Sequence, residues 1–275
     1  MTAEQQARVT DLFHRVSDTY DAVGVDFFGP IAAGLVAELA PRPGERALDV
    51  GCGRGAALFP LAEAVGPAGR VTGVDVAPGM VERTSADVAA AGLDDHVEVV
   101  LGDAAALDVA PAAYDLVSSS LVLFFLGDPL GALRSWHPAL VEGGRIGVST
   151  FGPFTDEWSE VERALRSHLP PDQLDARTNT GGPFASDEAM ESLLTEAGFT
   201  DVRTATATVE VRFDDEHAWH RWSMSHGQRQ MWEAIPADRY DEVWDRAVTA
   251  LHAGARPDGT LGFDQQVRYT LGRKG

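Results

Sequence analysis

Three glycines, Gly51, Gly53 and Gly55, alternate with other residues directly after the short, mainly apolar run Ala47–Val50. Glycine has no side chain, so this stretch lets a ligand approach the main chain closely. A helix that follows such a loop offers free N–H groups at its start. Gly51, Gly53 and Ala56 also match the relaxed dinucleotide fingerprint G-x-G-x-x-G/A. The loop by itself therefore fits a dinucleotide, a phosphate or another adenosine-bearing cofactor.

Two carboxylates follow this loop, each at the end of a later apolar run. Asp75 lies 24 residues beyond Gly51, close to the roughly 20-residue spacing of a carboxylate that binds ribose hydroxyls. Asp103 stands in the stretch L-G-D-A, where a carboxylate can accept a hydrogen bond from the exocyclic amine of adenine. The second carboxylate favours an adenosine cofactor other than NAD, although an NAD-dependent oxidoreductase remains the alternative from another class.

Tryptophans mark a second candidate region, because four of the six lie between residues 219 and 244. Helical spacing predicts one face that carries Trp219, Trp222, His226 and Arg229. We expect both tryptophans to border a substrate, Arg229 to bind a substrate carboxylate, and His226 to act as a catalytic base or as an orienting donor. The structural alternative is a packed face in which the arginine is paired with an acid.

The elements that position these residues follow from alternating β-branched runs and amphipathic stretches, a pattern typical of βαβ units with a parallel sheet. Predicted strands are Arg46–Val50, Arg70–Asp75, Val97–Leu101, Tyr114–Ser119, Arg145–Phe151, Asp201–Val211 and Gly262–Leu271. Predicted helices are residues 3–17, 31–40, 55–65, 78–91, 129–140 and 186–197, with Pro78 and Pro129 in first helical turns. Because the carboxyl ends of parallel strands meet at one edge, the glycines, Asp75 and Asp103 are expected to lie together.

Read in order, these stretches resemble the class I S-adenosylmethionine-dependent methyltransferases, most of all the ubiquinone/menaquinone-biosynthesis type and its small-molecule relatives. The matching stretches over about residues 45–151 are D-V-G-C-G-R-G, V-D-V-A-P-G-M, L-G-D-A, Y-D-L-V-S-S-S-L and L-V-E-G-G-R-I-G-V-S-T. The resemblance implies S-adenosyl-L-methionine as the cofactor and a small molecule as the methyl acceptor.

The resemblance also implies cofactor-binding roles for matched positions. Asp49 and Gly51 are expected at the methionine end, Asp75 at the ribose, and Met80 and Asp103 at the adenine. The other implied cofactor positions are Cys52, as a small residue and not a nucleophile, with Gly53, Val76, Gly102, Ala104, Ser120 and Leu121.

Aromatic residues near the cofactor positions are the candidates for the substrate wall. Tyr20 is expected to close over the cofactor, with Phe28 beside it. After the fourth strand the chain has L-V-L-F-F-L, where some relatives have polar residues or histidine. This departure predicts an apolar wall that includes Phe124, and it argues against a base from this loop.

The predicted fold class is α/β: a Rossmann-like, doubly wound, mostly parallel seven-stranded sheet. A helical N-terminal segment is expected over residues 1–44 and the cofactor-binding core over residues 45–212 and 261–275. Residues 213–260 read as a helical lid inserted before the last strand, since an insertion of that length is more often functional than a plain connection.

Composition restricts the partners. The formal net charge is −20, which repels phosphate backbones, so we expect no nucleic acid. One cysteine, Cys52, excludes a disulfide within the chain and fits a reducing cytoplasm. The acidic run 214–216 reads as a helix cap, so no metal is expected, and no run is long enough to span a membrane. Self-association into a homo-oligomer stays open.

The sequence thus predicts methyl transfer to a small, largely apolar metabolite, in the first place O-methylation in secondary metabolism. The alternative within the same class is C-methylation of an aromatic ring or alkene, including a prenylated or terpenoid acceptor, because tryptophan faces can stabilise a transient cation. A third alternative is a protein that binds the cofactor without methylating.

Overall fold

The computed structural model describes residues 3–166 and 182–275. They form one seven-stranded sheet in the order β3-β2-β1-β4-β5-β7-β6, in which only β7 runs antiparallel to its neighbours. The strands are β1 Arg46–Val50, β2 Arg70–Asp75, β3 Val97–Leu101, β4 Tyr114–Ser120, β5 Leu140–Phe151, β6 Phe199–Phe213 and β7 Leu261–Lys274. The predicted α/β fold class is confirmed.

Helices accompany the strands and supply the apolar stripes that cover them. They are α1 Ala3–Val16, α2 Phe28–Leu39, α3 Leu58–Val65, α4 Pro78–Ala90, α5 Pro129–Trp136, α6 Asp156–Arg166, α7 Asp187–Glu196, α8 Glu216–Met224, α9 Arg229–Glu233 and α10 Tyr240–Ala253. Strand order reverses between β1 and β4, and in such sheets ligands bind beyond the carboxyl ends of the strands at that reversal. The glycine loop follows β1, so it lies at this position.

The last two strands are slightly longer than the sequence predicted, and the part of them beyond the carboxyl edge builds a platform. β7 pairs with β5 as far as Val267, opposite Phe151. From Gln266 back to Leu261 it pairs with β6 alone. This two-stranded ribbon extends past the carboxyl edge, and α8, α9 and α10 occupy the connection between its strands. The lid helices therefore sit on the ribbon at the same edge as the glycine loop.

The helical layer also recruits a helix from outside the predicted lid. Trp158 of α6 stacks on Phe263 of β7 with ring centroids 3.8 Å apart, and α6 packs along α10. The sequence had assigned this segment to the core over residues 45–212. Its amphipathic pattern gives no indication of which layer it covers, because both layers present apolar surface.

The expectation of one helix through Trp219, Trp222, His226 and Arg229 is wrong. The helix ends at Met224, and a new one begins at Arg229. Ser225 closes the first helix, since its hydroxyl donates to the carbonyl of Trp222 at 2.7 Å. Such local side-chain bonds compete with helix continuation, so the four side chains do not share one face.

Candidate functional site

The glycine loop brings the main chain close to strand β2. The N–H groups of Gly51 and Cys52 both donate to the carbonyl of Val74, at 2.7 and 3.0 Å. Gly51 and Gly53 have φ values of 72° and 50°, a region that residues with a Cβ enter only at a cost. A Cβ on Gly51 would lie 2.3 Å from Val122, whereas a Cβ on Gly53 would meet nothing within 4 Å. Gly53 therefore borders open space on the side where a ligand can lie.

Asp75 ties this loop to the start of α4. Its two carboxylate oxygens accept hydrogen bonds from the N–H groups of Gly53 and Ala77, both at 2.9 Å. Burial raises the pKa of Asp75, while these backbone donors act in the opposite direction. Each oxygen retains a further lone pair. The carboxylate can therefore hold the loop and still accept from ribose hydroxyls.

Asp49 lies at the base of the loop and is 1% exposed. The hydroxyl of Ser118 donates to its Oδ1 at 2.6 Å, while its Oδ2 has no hydrogen-bond partner. Burial raises the pKa of Asp49 to about 7, although the Ser118 hydrogen bond lowers it. A buried carboxylate oxygen without a partner is costly. It fits the cationic methionine end of S-adenosylmethionine, which would supply the missing charge.

The loop after β3, where the sequence predicted adenine binding, is covered by α1. The Asp103 carboxylate accepts from the N–H of Ala105 at 2.8 Å and from the side-chain amide of Gln6 at 2.7 Å. The indole of Trp136 donates to the carbonyl of Ala104 at 2.8 Å and fixes the loop. Met80 is 1% exposed among residues of α1 and α4. Val76 and Gly102 are half-buried at this edge.

Sequence reasoning did not find Gln6 or His14, which dock α1 here. The Nδ1 of His14 accepts from the N–H of Gly79 at 3.0 Å. Neither residue belongs to a motif, and Gln6 is 97 residues from Asp103. The only available signal was the predicted amphipathic helix itself, which does not specify its docking site.

The end of β4 carries Ser120 and Leu121, which the sequence assigned to the methionine side. Leu121 has a φ of 59°, a strained value for a residue with a branched side chain. Its N–H donates to the hydroxyl of Ser149 at 3.1 Å, and that hydroxyl also lies 3.0 Å from the hydroxyl of Ser120. β5 therefore holds the turn that presents Ser120 and Leu121.

A cluster of rings, here called the aromatic enclosure, stands between the glycine loop and the lid helices. Tyr20 stacks on Phe28 at a centroid distance of 4.5 Å. Phe124 stacks on Phe151 at 5.4 Å, and the ring of Trp222 lies 4.4 Å from that of His226. The full set is Tyr20, Phe27, Phe28, Phe124, Phe125, Phe151, Trp222 and His226.

The structure thus brings together five of the residues that we had assigned to substrate or catalysis. Phe27, Phe125 and Phe151 were not predicted members. Phe27 contacts Trp222 at 5.2 Å and Phe151 at 6.0 Å. Each of these rings lies at the end of a strand or at one end of a helix on the carboxyl edge. An aromatic residue at such a position, next to a predicted cofactor loop, is the signal by which they could have been found.

Trp219 and Arg229 lie apart from the enclosure. Trp219 packs against Trp232 at 5.5 Å, within the lid. The guanidinium of Arg229 donates to Glu233 at 2.7 Å, and Glu233 also pairs with both terminal nitrogens of Arg15. Glu233 therefore joins α9 to α1, and Arg229 is engaged in that ion-pair network.

His226 is 6% exposed and has a defined tautomer. Its Nδ1 accepts from the backbone N–H of Gln228 at 3.1 Å, and its Nε2 has no hydrogen-bond partner. Burial lowers the pKa of His226 to about 3. The ring is consequently neutral, and because Nδ1 accepts, the hydrogen is on Nε2. His226 therefore offers a buried donor within the aromatic enclosure.

Within the part of the chain that the structure describes, the other titratable groups do not assemble a metal site. Among residues 3–166 and 182–275, no group of three or more His, Cys, Asp or Glu side chains lies together as possible metal ligands. Asp215, in the acidic run, caps α8 by accepting from the N–H of Ala218. Cys52 is buried, and burial raises the pKa of its thiol, which disfavours the reactive thiolate. No helix in the described ranges is long and apolar enough to cross a membrane.

Known proteins are similar to this chain in sequence and in fold. Residues 47–144 match a family model described as a methyltransferase domain. The nocamycin O-methyltransferase of Saccharothrix syringae is 35% identical over 273 residues, which cover 95% of this chain and 97% of that protein. The aklanonic acid methyltransferase of Streptomyces sp. strain C5 is 37% identical over 212 residues, covering 73% of this chain and 95% of that protein.

Among solved structures, the YcgJ protein of Bacillus subtilis shares the fold with a TM-score of 0.60 at 17% identity, over 88% of this chain and 97% of that one. The similarity to methyltransferases over nearly the full length of the chain identifies S-adenosylmethionine, and not NAD, as the cofactor. The chain belongs to the S-adenosylmethionine-dependent methyltransferases.

Proposed function

We propose that this enzyme methylates an oxygen atom of a small, largely apolar secondary metabolite, and that the oxygen belongs to a carboxyl, an acidic enol or a phenol. The observation that carries the proposal is the aromatic enclosure, in which the ring N–H groups of Trp222 and His226 are buried and have no hydrogen-bond partner. Apolar walls favour an apolar acceptor. A buried donor without a partner favours an oxygen on that acceptor.

The names of the relatives support oxygen as the acceptor atom. The relative from Saccharothrix is an O-methyltransferase of nocamycin, and the relative from Streptomyces acts on aklanonic acid. Both similarities extend beyond the cofactor-binding strands, because the first covers 95% of this chain. The regions that form the enclosure therefore fall within the aligned length of the first relative.

The mechanism assigns distinct work to the residues of this chain. When bound, S-adenosylmethionine supplies an activated methyl group on a sulfonium. Asp49 holds the cationic end, and Asp75 and Asp103 accept from the ribose and adenine. The enclosure excludes water and aligns the acceptor, which is the main requirement for transfer from an activated donor.

His226 orients the acceptor oxygen through Nε2–H. It does not serve as the base, because its Nδ1 lone pair is engaged by Gln228 and its pKa is lowered to about 3. Without a base from His226, the acceptor must ionise without help from the enzyme. For that reason carboxyls and acidic enols or phenols fit better than alcohols.

The individual assignments made from the sequence remain proposals. Trp222, Tyr20, Phe28 and Phe124 are proposed to contact the acceptor. Trp219, which the sequence assigned to the substrate, packs on Trp232 within the lid, so we propose a supporting role for it instead. We further propose a cytoplasmic location, no nucleic-acid partner, the division into core and lid at residues 213–260, and self-association as an open possibility that light scattering would test.

The test is methyl transfer from S-adenosylmethionine labelled with ¹³C in the methyl group. The acceptors are aklanonic acid and a panel of aryl carboxylic acids, enolic diketones and phenols. Carbon NMR of the product distinguishes a methyl on oxygen from a methyl on carbon. We expect an O-methyl product from an acidic acceptor. Transfer to carbon, or cofactor binding without transfer to any member of the panel, would overturn the proposal.

A further inference from the structure

We propose that Gln228 is a positioning residue whose backbone N–H fixes the tautomer of His226, and that a buried relay through Glu162, Ser223 and Trp232 holds Gln228 in place. The inference rests on the proposed role of His226 as a donor to the acceptor oxygen. It assigns a purpose to a polar network inside the lid that cofactor binding does not use.

The relay has one direction. The indole of Trp232 donates to the hydroxyl of Ser223 at 2.6 Å, and that hydroxyl donates to Oε1 of Gln228 at 3.0 Å. The side-chain NH₂ of Gln228 donates to Oε1 of Glu162. Arg166 donates twice to the other oxygen of Glu162, at 2.8 and 3.1 Å. Each of these four side chains therefore donates to an acceptor within the relay.

Burial stabilises this donor-to-acceptor order from Trp232 to Glu162. Glu162 is 6% exposed and Ser223 is fully buried. Reversing the half-buried amide of Gln228 would place its oxygen against the buried Glu162 carboxylate and leave both acceptors without a donor. The relay therefore fixes both the amide and the backbone segment that carries it.

That backbone segment decides what His226 offers. Gln228 precedes α9, with φ −69° and ψ −18°, and its N–H donates to Nδ1 of His226. A neutral imidazole carries its hydrogen on either nitrogen. Without the Gln228 N–H, the alternative tautomer would turn Nε2 from a donor into an acceptor. The N–H thus selects an arrangement that binds an oxygen.

A pair of substitutions isolates this N–H. Gln228→Pro removes the side chain and the N–H, whereas Gln228→Ala removes only the side chain. The φ of −69° suits proline. The preceding residue is Gly227, which lacks the Cβ that contributes to the usual clash before proline. The difference between the two variants therefore reports on the N–H.

The primary readout needs no substrate. Nitrogen-15 NMR of histidine-labelled protein at neutral pH shows which ring nitrogen of His226 bears hydrogen. We expect Nε2–H alone in the wild type, a minor fraction of Nδ1–H in Gln228→Ala, where the relay is cut but the N–H remains, and a larger fraction of Nδ1–H in Gln228→Pro. We also expect turnover in Gln228→Pro to fall on the order of tenfold below Gln228→Ala. Affinity for S-adenosylhomocysteine and the melting temperature of the two variants should be equal.

The outcomes separate this inference from the proposed function. An unchanged Nε2–H tautomer in Gln228→Pro overturns the positioning role. A changed tautomer with unchanged turnover supports the positioning role but removes His226 from the proposed reaction. If the proline variant does not fold, the wild-type spectrum decides, since an Nδ1–H tautomer there contradicts the inference. Ser223→Ala then cuts the relay at one hydroxyl and should broaden the tautomer distribution.

Discussion

The backbone N–H of Gln228 donates a hydrogen bond to Nδ1 of His226 at 3.1 Å. This contact makes Nε2 the hydrogen-bearing nitrogen of a buried, neutral ring. Of the two roles that the sequence leaves open for His226, base or orienting donor, the contact favours the donor. The chemistry of the site then depends on an acceptor oxygen that ionises on its own.

Substitutions of His226 separate the two roles. A glutamine amide places an N–H at about the distance from Cα at which histidine places Nε2, but it cannot accept a proton at neutral pH. We expect His226→Gln to retain turnover within about tenfold of the wild type, and His226→Ala to lose about 100-fold, as removal of a well-placed donor does. Steady-state kinetics checks this, and both variants should bind S-adenosylhomocysteine with the affinity of the wild type. Equal inactivity of both variants would point to a base.

The raised pKa of Asp49 predicts a pH dependence of stability. The folded-state pKa of Asp49 is about 7 against an ordinary value of 3.8, so ionisation favours the unfolded chain. The stability contributed by protonated Asp49 is present at about pH 4, falls as the pH rises towards 7, and is constant above it. Denaturation of the cofactor-free protein should show that Asp49→Asn gains stability relative to wild type between pH 4.5 and 7.5. Parallel pH profiles of the two proteins would contradict the burial argument.

The two glycines of the loop should respond differently to alanine. A Cβ on Gly51 meets Val122 at 2.3 Å, whereas a Cβ on Gly53 meets open space. Both residues have positive φ, which costs alanine roughly 1–2 kcal/mol. We expect Gly51→Ala to lower the melting temperature more than Gly53→Ala does. We expect Gly53→Ala to weaken the binding of S-adenosylhomocysteine by more than its small loss of stability explains. Calorimetry and thermal melts measure both. Unchanged affinity in Gly53→Ala would place the cofactor elsewhere.

Gln6 occupies a lone pair of the carboxylate that is proposed to read adenine. Its amide donates to Oδ2 of Asp103 at 2.7 Å, and Oδ1 accepts from the N–H of Ala105, so we expect Gln6 to compete with adenine at Oδ2. Gln6→Ala should tighten binding of S-adenosylhomocysteine by about 0.5–1.5 kcal/mol, the net worth of one hydrogen bond. Thr10→Ala on the same helix is the control, because the Thr10 hydroxyl donates to the carbonyl of Gln6. Weaker binding in Gln6→Ala would mean that Gln6 contacts the cofactor.

Sequence patterns predicted which strand ends and loop residues would lie together at the carboxyl edge. Strand-ending carboxylates and the glycine loop are local features, and parallel pairing brings local strand ends to one edge. Asp75 therefore meets Gly53 although 22 residues separate them. The apolar wall after β4 was likewise predicted, since Phe124 follows directly from a strand whose end was known.

The substrate end was harder to predict because its contacts join distant segments. Glu162 meets Gln228 across 66 residues, and Arg15 meets Glu233 across 218. No period or motif encodes such pairs. Helical spacing also failed to predict the break after Met224. The hydroxyl of Ser225 donates to a backbone carbonyl there, and a pattern of apolar residues does not indicate such a competing hydrogen bond.

The central claim is tested most directly by a crystal structure with S-adenosylhomocysteine and the O-methyl acceptor found in the labelling experiment. The distance from Nε2 of His226 to the acceptor oxygen is the measurement. We predict a hydrogen-bond distance of about 2.7–3.2 Å, with that oxygen inside the aromatic enclosure and directed at the cofactor sulfur. An acceptor oxygen beyond that reach of His226, or an acceptor bound outside the enclosure, would contradict the account.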